Sequence, residues 1–336
     1  MGNVLQFDET KYIPKAIGDG RIGSSIDGIE KVQIPDDLLI NNCDDPVSAI
    51  VESTYPDFFN HSSDIDYLQQ RAILAPTLDM VESINEYTVS LNHSPEKTYL
   101  TSDTVCMSDN SLSALEHVHT PKFLNSIKCS GIPNHSITLK VGVPVMLLRN
   151  IDQSSGLCNG TRLIITRLEN RVIETKVLSG DMAGQKVFIP RMTLMPSDTK
   201  IPFKFQQRQF PIVVSFAMTI NKSQGQSLSH VGLFLKKPVF THGQLYVALS
   251  HVTSRKGLKI LVYDDDGQIT NEARNMVYKE VFHNLDLRQV YLALSLVRVP
   301  EQTRDFYGEL FPSHAVQQPE EVFLMYFFLL STLFGQ

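Results

Sequence analysis

Two rhythms of apolar and polar positions alternate along the chain from residue 67 onward. The run "RAILAPT" (71–77) is almost unbroken in apolar character and stops at Pro76, which marks a strand buried on both faces. "LDMVESINEYTVSL" (78–91) then places Leu78, Val81, Ile84, Tyr87 and Leu91 at helical spacing. Strand, turn and amphipathic helix form the repeating unit of an α/β domain. Residues 1–66 show no sustained period; they carry glycine-rich turns ("IGDGRIGSSIDG") and one helix-like segment, "DPVSAIVESTY" (45–55).

The rhythm shortens between 137 and 194. "ITLKVGVPVMLLRN", "GTRLIITRL", "NRVIETKVL", "KVFIP" and "RMTL" are brief strand-like runs separated by the turn signals "CNG", "ENR" and "GDMAG". Such spacing predicts a small antiparallel barrel. After 210 the α/β pattern returns: "FPIVVSFAM" reads as one strand, "NKSQGQSL" as a turn opening a helix, and "HVGLFL" as a strand. "THGQLYVALSHV" reads as a helix, and "GLKILVY" as a strand closed by the acidic turn "DDDG". The barrel is therefore expected as an insertion within the α/β domain.

Composition narrows the field. With 42% hydrophobic and 20% charged residues over 336 positions, the chain is an ordinary globular one, long enough for one large domain or two. The four cysteines (Cys43, Cys106, Cys129, Cys158) form no Cys-x-x-Cys pair, and His117-Val-His119 is the closest approach to ligand spacing; no metal site is expected. The N-terminus has no basic-then-apolar leader. Thirteen uncharged, mostly apolar positions at 322–334 fall short of a bilayer span, so no membrane partner is expected.

Charge is distributed unevenly. Net charge is −6, yet residues 186–222 hold six Lys/Arg against Asp198 alone, interleaved with Phe203, Phe205, Phe210 and Phe216. That stretch reads either as backbone and stacking contacts for a single nucleic-acid strand or as a solvated basic face over a Phe-lined core. Within it, Lys222 and Ser223 precede Gly225, the reverse of a P-loop, in which glycines precede Lys-Ser/Thr so that backbone N–H groups wrap the phosphates. No Gly-x-x-x-x-Gly-Lys-Ser/Thr occurs in the sequence.

Five stretches together, "RAILAPT…V..IN", "LKVGVPVMLLRN", "GLCNGTRLIITRL", "FPIVVSFAMTINKSQGQSL" and "PVFTHGQLYVALSHVTSRKGLKIL", resemble the petite-integration-frequency (PIF-type) DNA helicases, in the eukaryotic branch that includes the Helitron-transposon enzymes. The likeness runs from about residue 13 to about 285. It implies an ATP- and Mg²⁺-dependent 5′-to-3′ motor of two RecA-like domains, with a Src-homology-3-like barrel inserted in the second. On that basis residues 1–66 are the end of the first RecA-like domain. Residues 67–136 and 198–270 are the second, 137–197 the inserted barrel, and 271–336 a helical C-terminal extension. "NKSQGQ" corresponds to helicase motif V, so the resemblance puts Thr219, Lys222, Ser223, Gln224, Gly225 and Gln226 at the DNA and nucleotide interface, with Lys204 and Arg208 as further backbone contacts. It puts Gln244 and His251 in the catalytic cleft. His251 stands where the family has an arginine finger, a role worth about 10³–10⁵ in rate in other phosphoryl-transfer enzymes. Arg255 lies four residues on.

The expected function is thus the C-terminal portion of a DNA helicase, acting in unwinding, repair, recombination or transposition in the nucleus. Lacking P-loop and finger, the chain alone is expected to be inactive as a motor. It would bind single-stranded DNA weakly and need a partner chain supplying the first RecA-like domain. The alternative is a non-catalytic single-strand-binding or protein-interaction fragment.

Overall fold

The computed structural model describes residues 24–277, apart from 27–28, 42, 62–63, 106–120, 128–130, 181, 197–202, 204 and 225. Expectations about the first 23 residues, His117 and His119, Lys204, Gly225, the apolar tail and most of the C-terminal extension lie outside the described residues.

In chain order, β1 (Ser24–Ile26) and β2 (Ile29–Gln33) lead into α1 (Pro46–Thr54), α2 (Phe58–His61) and α3 (Ile65–Gln69). Then follow β3 (Arg71–Ala75), α4 (Leu78–Ser90), β4 (Glu96–Leu100), β5 (Ser102–Val105) and α5 (Pro121–Ser126). The middle of the chain is all strand: β6 (Ser136–Lys140), β7 (Pro144–Leu147), β8 (Arg162–Leu168), β9 (Val172–Val177), β10 (Lys186–Pro190), β11 (Met192–Leu194), β12 (Phe205–Gln209), β13 (Ile212–Val214) and β14 (Ala217–Thr219). β15 (His230–Leu235), α6 (Gln244–Ser250), β16 (Leu258–Val262) and β17 (Glu272–Met276) complete it.

The α/β part is a four-stranded parallel sheet in the order β14-β3-β15-β16. Its strands are apolar nearly throughout: Ala72, Ile73, Leu74 and Ala75 of β3 and Leu233 of β15 are fully buried. Helix α1 starts where Asp45 accepts the Val47 N–H at 3.1 Å, with Pro46 at the first helical position. It lies over β3, β15 and β16, beside α4, which covers β14 and β3. The approach is close enough that a Cβ on Gly232 of β15 would sit 2.1 Å from Thr54 Oγ1 and 3.0 Å from Ile50 Cδ1. The segment expected to be the end of a missing domain thus supplies one of this sheet's covering helices.

The strand-like runs of 137–194 are strands, but they do not share one closed barrel. Among the described residues they distribute over three sheets. β10-β9-β8-β7-β13 is an open antiparallel sheet whose edge strands β10 and β13 are not paired with each other; β6 pairs with β4, and β11 with β12 and then β5. Edges stay apart because the closing strand, β13, is only three residues long and its chain leaves at once for the parallel sheet. A further antiparallel sheet, β1-β2-β17, puts a strand at Glu272–Met276, where a helical extension was expected.

"FPIVVSFAM" is two strands rather than one. β13 pairs antiparallel with β7, and β14 pairs parallel with β3. Asn85 of α4 explains the break. Its Nδ2 donates to the carbonyls of Val214 and Ala217, each at 3.0 Å, and its Oδ1 accepts the Ala217 N–H at 2.8 Å. A buried amide thus satisfies backbone groups that a continuous ladder would otherwise have paired. The cores of the parallel and five-stranded sheets are continuous, running from Ile73 and Phe216 to Val145, Leu163 and Ile212.

Candidate functional site

β14 delivers the chain to a single 3-10 turn, Ile220–Ser223, and not to a longer helix. The next elements are a bridge at Leu228 and β15. Ile220 is buried and anchors the turn, while Asn221 and Gln224 face solvent. Ser223 is fully buried, and its Oγ donates to the Ile220 carbonyl at 2.6 Å. That hydroxyl closes the turn and is not presented to a ligand. Thr219 is half-buried at the turn's start and makes no capping bond.

Lys222 faces the loop joining β7 to β8. Its Nζ donates to Asn159 Oδ1 at 3.4 Å, and Gln226 Nε2 donates to the Gly160 carbonyl at 3.4 Å. Gly160, at φ +92°, takes a left-handed conformation that side chains disfavour, which turns this loop back into β8. The loop is also tied down by Asn159 N–H to Asn150 Oδ1 at 2.7 Å and by Gly160 N–H to the Leu147 carbonyl at 2.8 Å. Burial lowers the Lys222 pKa, and the positive charge of Arg149 lowers it further. Arg149 donates to the Met195 carbonyl at 3.0 Å. The two cations are thus near enough for Arg149 to disfavour the charge on Lys222, and an anion bound beside Lys222 offsets both the repulsion and the lost hydration.

His251 packs against the same turn from the other side. It caps α6, is buried, and its Nδ1 bonds the Val247 carbonyl. Burial holds its pKa below the ordinary histidine value, with the Val247 and Ser223 backbone pulling weakly upward. The imidazole is therefore neutral at pH 7 and brings no positive charge to a phosphoryl group. Gln244 is equally enclosed: its Oε1 accepts the Phe240 N–H at 3.1 Å, which fastens the loop before α6. Arg255 forks onto the Asp37 carboxylate, Nε at 3.1 Å and Nη2 at 2.7 Å, and that pairing keeps the Asp37 pKa low.

The structure brings Lys222, Gln226 and His251 together around one turn. Arg208 projects into solvent from β12, in a different sheet. Of the phenylalanines offered for stacking, Phe205, Phe210 and Phe216 are buried core residues at 1% exposure or less, so these three rings are not presented to a strand. Sequence reasoning passed over Arg149, Asn159 and Gly160. They stood inside quoted stretches, within "LLRN" and "CNG", but were read as strand end and turn.

Residues 122–168, from α5 to β8, match the model of the family described as "DNA helicase Pif1, 2B domain". The ATP-dependent DNA helicase PIF1 of Xenopus laevis is 31% identical over 172 residues, 51% of this chain and 27% of the relative. Over these residues the chain is similar to the Pif1-type helicases. The human PIF1 helicase is 31% identical over 147 residues, covering 43% of this chain and 22% of that protein. The chain thus spans about a quarter of the length of these Pif1 relatives. A crystal structure of Bacteroides Pif1 bound to ssDNA aligns with 79% of this chain and 58% of its own, at 21% identity and a TM-score of 0.44.

None of the described residues forms a P-loop; the His251 imidazole is enclosed, and the guanidinium of Arg255 is held by Asp37.

Proposed function

We propose that this chain is the second RecA-like domain, with its inserted β-domain, of a Pif1-type 5′-to-3′ DNA helicase. On this reading the parallel sheet is the motor half, and the open five-stranded sheet is the counterpart of the family's small inserted barrel. The turn at 220–223 holds the phosphate backbone of single-stranded DNA. The observation that carries it is Lys222, placed by the 220–223 turn against Asn159 of the β7–β8 loop, with the charge of Arg149 close enough to act on it. Ammonium and amide donors at a half-buried turn suit a phosphodiester, and neither reads a base.

ATP turnover is then a property of a larger assembly. The isolated chain binds single strands and does not hydrolyse ATP, and adding a first RecA-like domain restores turnover. The cellular setting that goes with this reading is DNA repair, recombination or transposition in the nucleus.

Binding of labelled oligo-dT across a salt series tests the proposal. Wild-type affinity falls steeply with salt, and Lys222→Ala lowers the slope of log affinity against log salt by about one. Absence of binding at any salt concentration sinks it and leaves a protein-interaction role. ATP hydrolysis by the isolated chain, free of contaminating enzyme, sinks the division of labour.

A further inference from the structure

Arg162 opens β8 two residues beyond Gly160, and its side chain is buried, at 2% exposure. Among the described residues its guanidinium has no carboxylate partner. Nη2 donates to the carbonyls of Arg71 at 3.0 Å, Ser215 at 3.3 Å and Leu68 at 3.4 Å, and Nη1 to that of Gln69 at 3.5 Å. These four acceptors come from the end of α3, the first residue of β3, and the crossover that carries the chain from β13 to β14. Tyr55 reinforces the same point, its hydroxyl donating to the Phe216 carbonyl at 2.8 Å.

Enclosing a guanidinium without a counter-ion is costly, because only carbonyl dipoles replace its water. A shorter apolar side chain would fill the site at less cost if packing were the sole requirement. What the guanidinium alone supplies is reach: one planar fork spans three segments of the parallel-sheet unit from the first residue of a strand in the other sheet. The loop that touches Lys222 and Gln226 ends two residues before it. If β8 shifts against β3 and Ser215, Asn159 and Gly160 shift against the 220–223 turn.

We propose that Arg162 is a positioning residue, a latch that fixes the five-stranded sheet to the parallel sheet and thereby seats the Asn159–Gly160 loop on Lys222. The inference rests on the reading of that turn as a phosphate contact, and it adds to that reading a group that never meets DNA. Its loss weakens binding without removing a charge from the interface.

The test uses the full chain with Arg162→Met and, should that variant not fold, Arg162→Lys, whose single ammonium cannot span the four carbonyls. One arm measures oligo-dT affinity for Arg162→Met, Lys222→Ala and the double variant. The latch predicts non-additivity, the double variant binding within about twofold of Lys222→Ala alone. The other arm needs no DNA: the rate at which a small acylating reagent labels Lys222, read by mass spectrometry against Lys259 as reference. Loss of the latch raises Lys222 labelling severalfold and leaves Lys259 unchanged.

Additive losses, or Lys222 labelling that stays at the wild-type rate or rises only in step with Lys259, would overturn the proposal and leave Arg162 a packing residue. If the wild-type chain binds no DNA, the functional reading fails on the first arm while the labelling arm still decides whether Arg162 seats the loop.

Discussion

Replacing Asn85 with alanine removes the group that manages the passage of the chain between its two sheets. The side chain is 6% exposed and makes three hydrogen bonds to main-chain groups, two of them, on Ala217, fully buried. Leaving a buried donor or acceptor unpaired costs about 1–3 kcal/mol, so the two Ala217 groups alone put the loss near 4 kcal/mol. The partly buried Val214 carbonyl regains water and adds little. With a urea m-value of about 3 kcal/mol per molar, suited to a unit of this size, the unfolding midpoint falls by roughly 1.3 M with an unchanged slope. Asn85→Asp is the informative companion: it keeps the acceptor for the Ala217 N–H but sets a carboxylate against two carbonyl oxygens, so it should be no more stable than the alanine variant. The crossover leads into β14 and the 220–223 turn, so oligo-dT affinity should weaken together with stability. A loss under 1 kcal/mol for Asn85→Ala would refute the view that this amide, rather than strand packing, sets the break between β13 and β14.

Acid sensitivity is expected from His251. Its folded pKa lies below its unfolded one, so the unfolded chain binds the proton more readily; this stability is complete above the unfolded pKa near 6.5 and is lost as pH falls toward the folded value. Unfolding free energies from urea titrations between pH 7 and pH 5 should decline by up to about 1.4 kcal/mol per pH unit, and His251→Gln should flatten that decline. His251→Arg should yield no ATP hydrolysis and should destabilise the fold, because a cation would enter the enclosed space against Val247 and Ser223; turnover by that variant would contradict the geometry. Gly232→Ala should cost about 1–3 kcal/mol through overpacking, and Thr54→Ala, by deleting the oxygen 2.1 Å from the new methyl, should recover most of it in thermal melts.

Local rules made the elements of the α/β part legible. β3, α4, β15, α6 and β16 all stand where apolar periodicity puts them, because parallel strands buried on both faces and one-sided helices leave a strong pattern along the chain. The short strands of the middle region were legible one by one, but their partners were not. β4, β5, β12 and β17 are rich in polar residues and give little apolar periodic signal, and β6 joins β4 across more than thirty residues.

The sequence alone determined the kind of segment at most positions, the absence of a P-loop within these residues, and the placing of Lys222 in a turn after a buried strand. Tertiary structure alone decided that "FPIVVSFAM" divides between two sheets, that Ser223 turns inward while Lys222 meets Asn159, and that Arg162 spans four carbonyls. A strand's character is written in its own residues. Its partners, and what a side chain faces, depend on groups tens to hundreds of positions away, and pairing is chosen by which arrangement leaves the fewest buried polar groups unsatisfied.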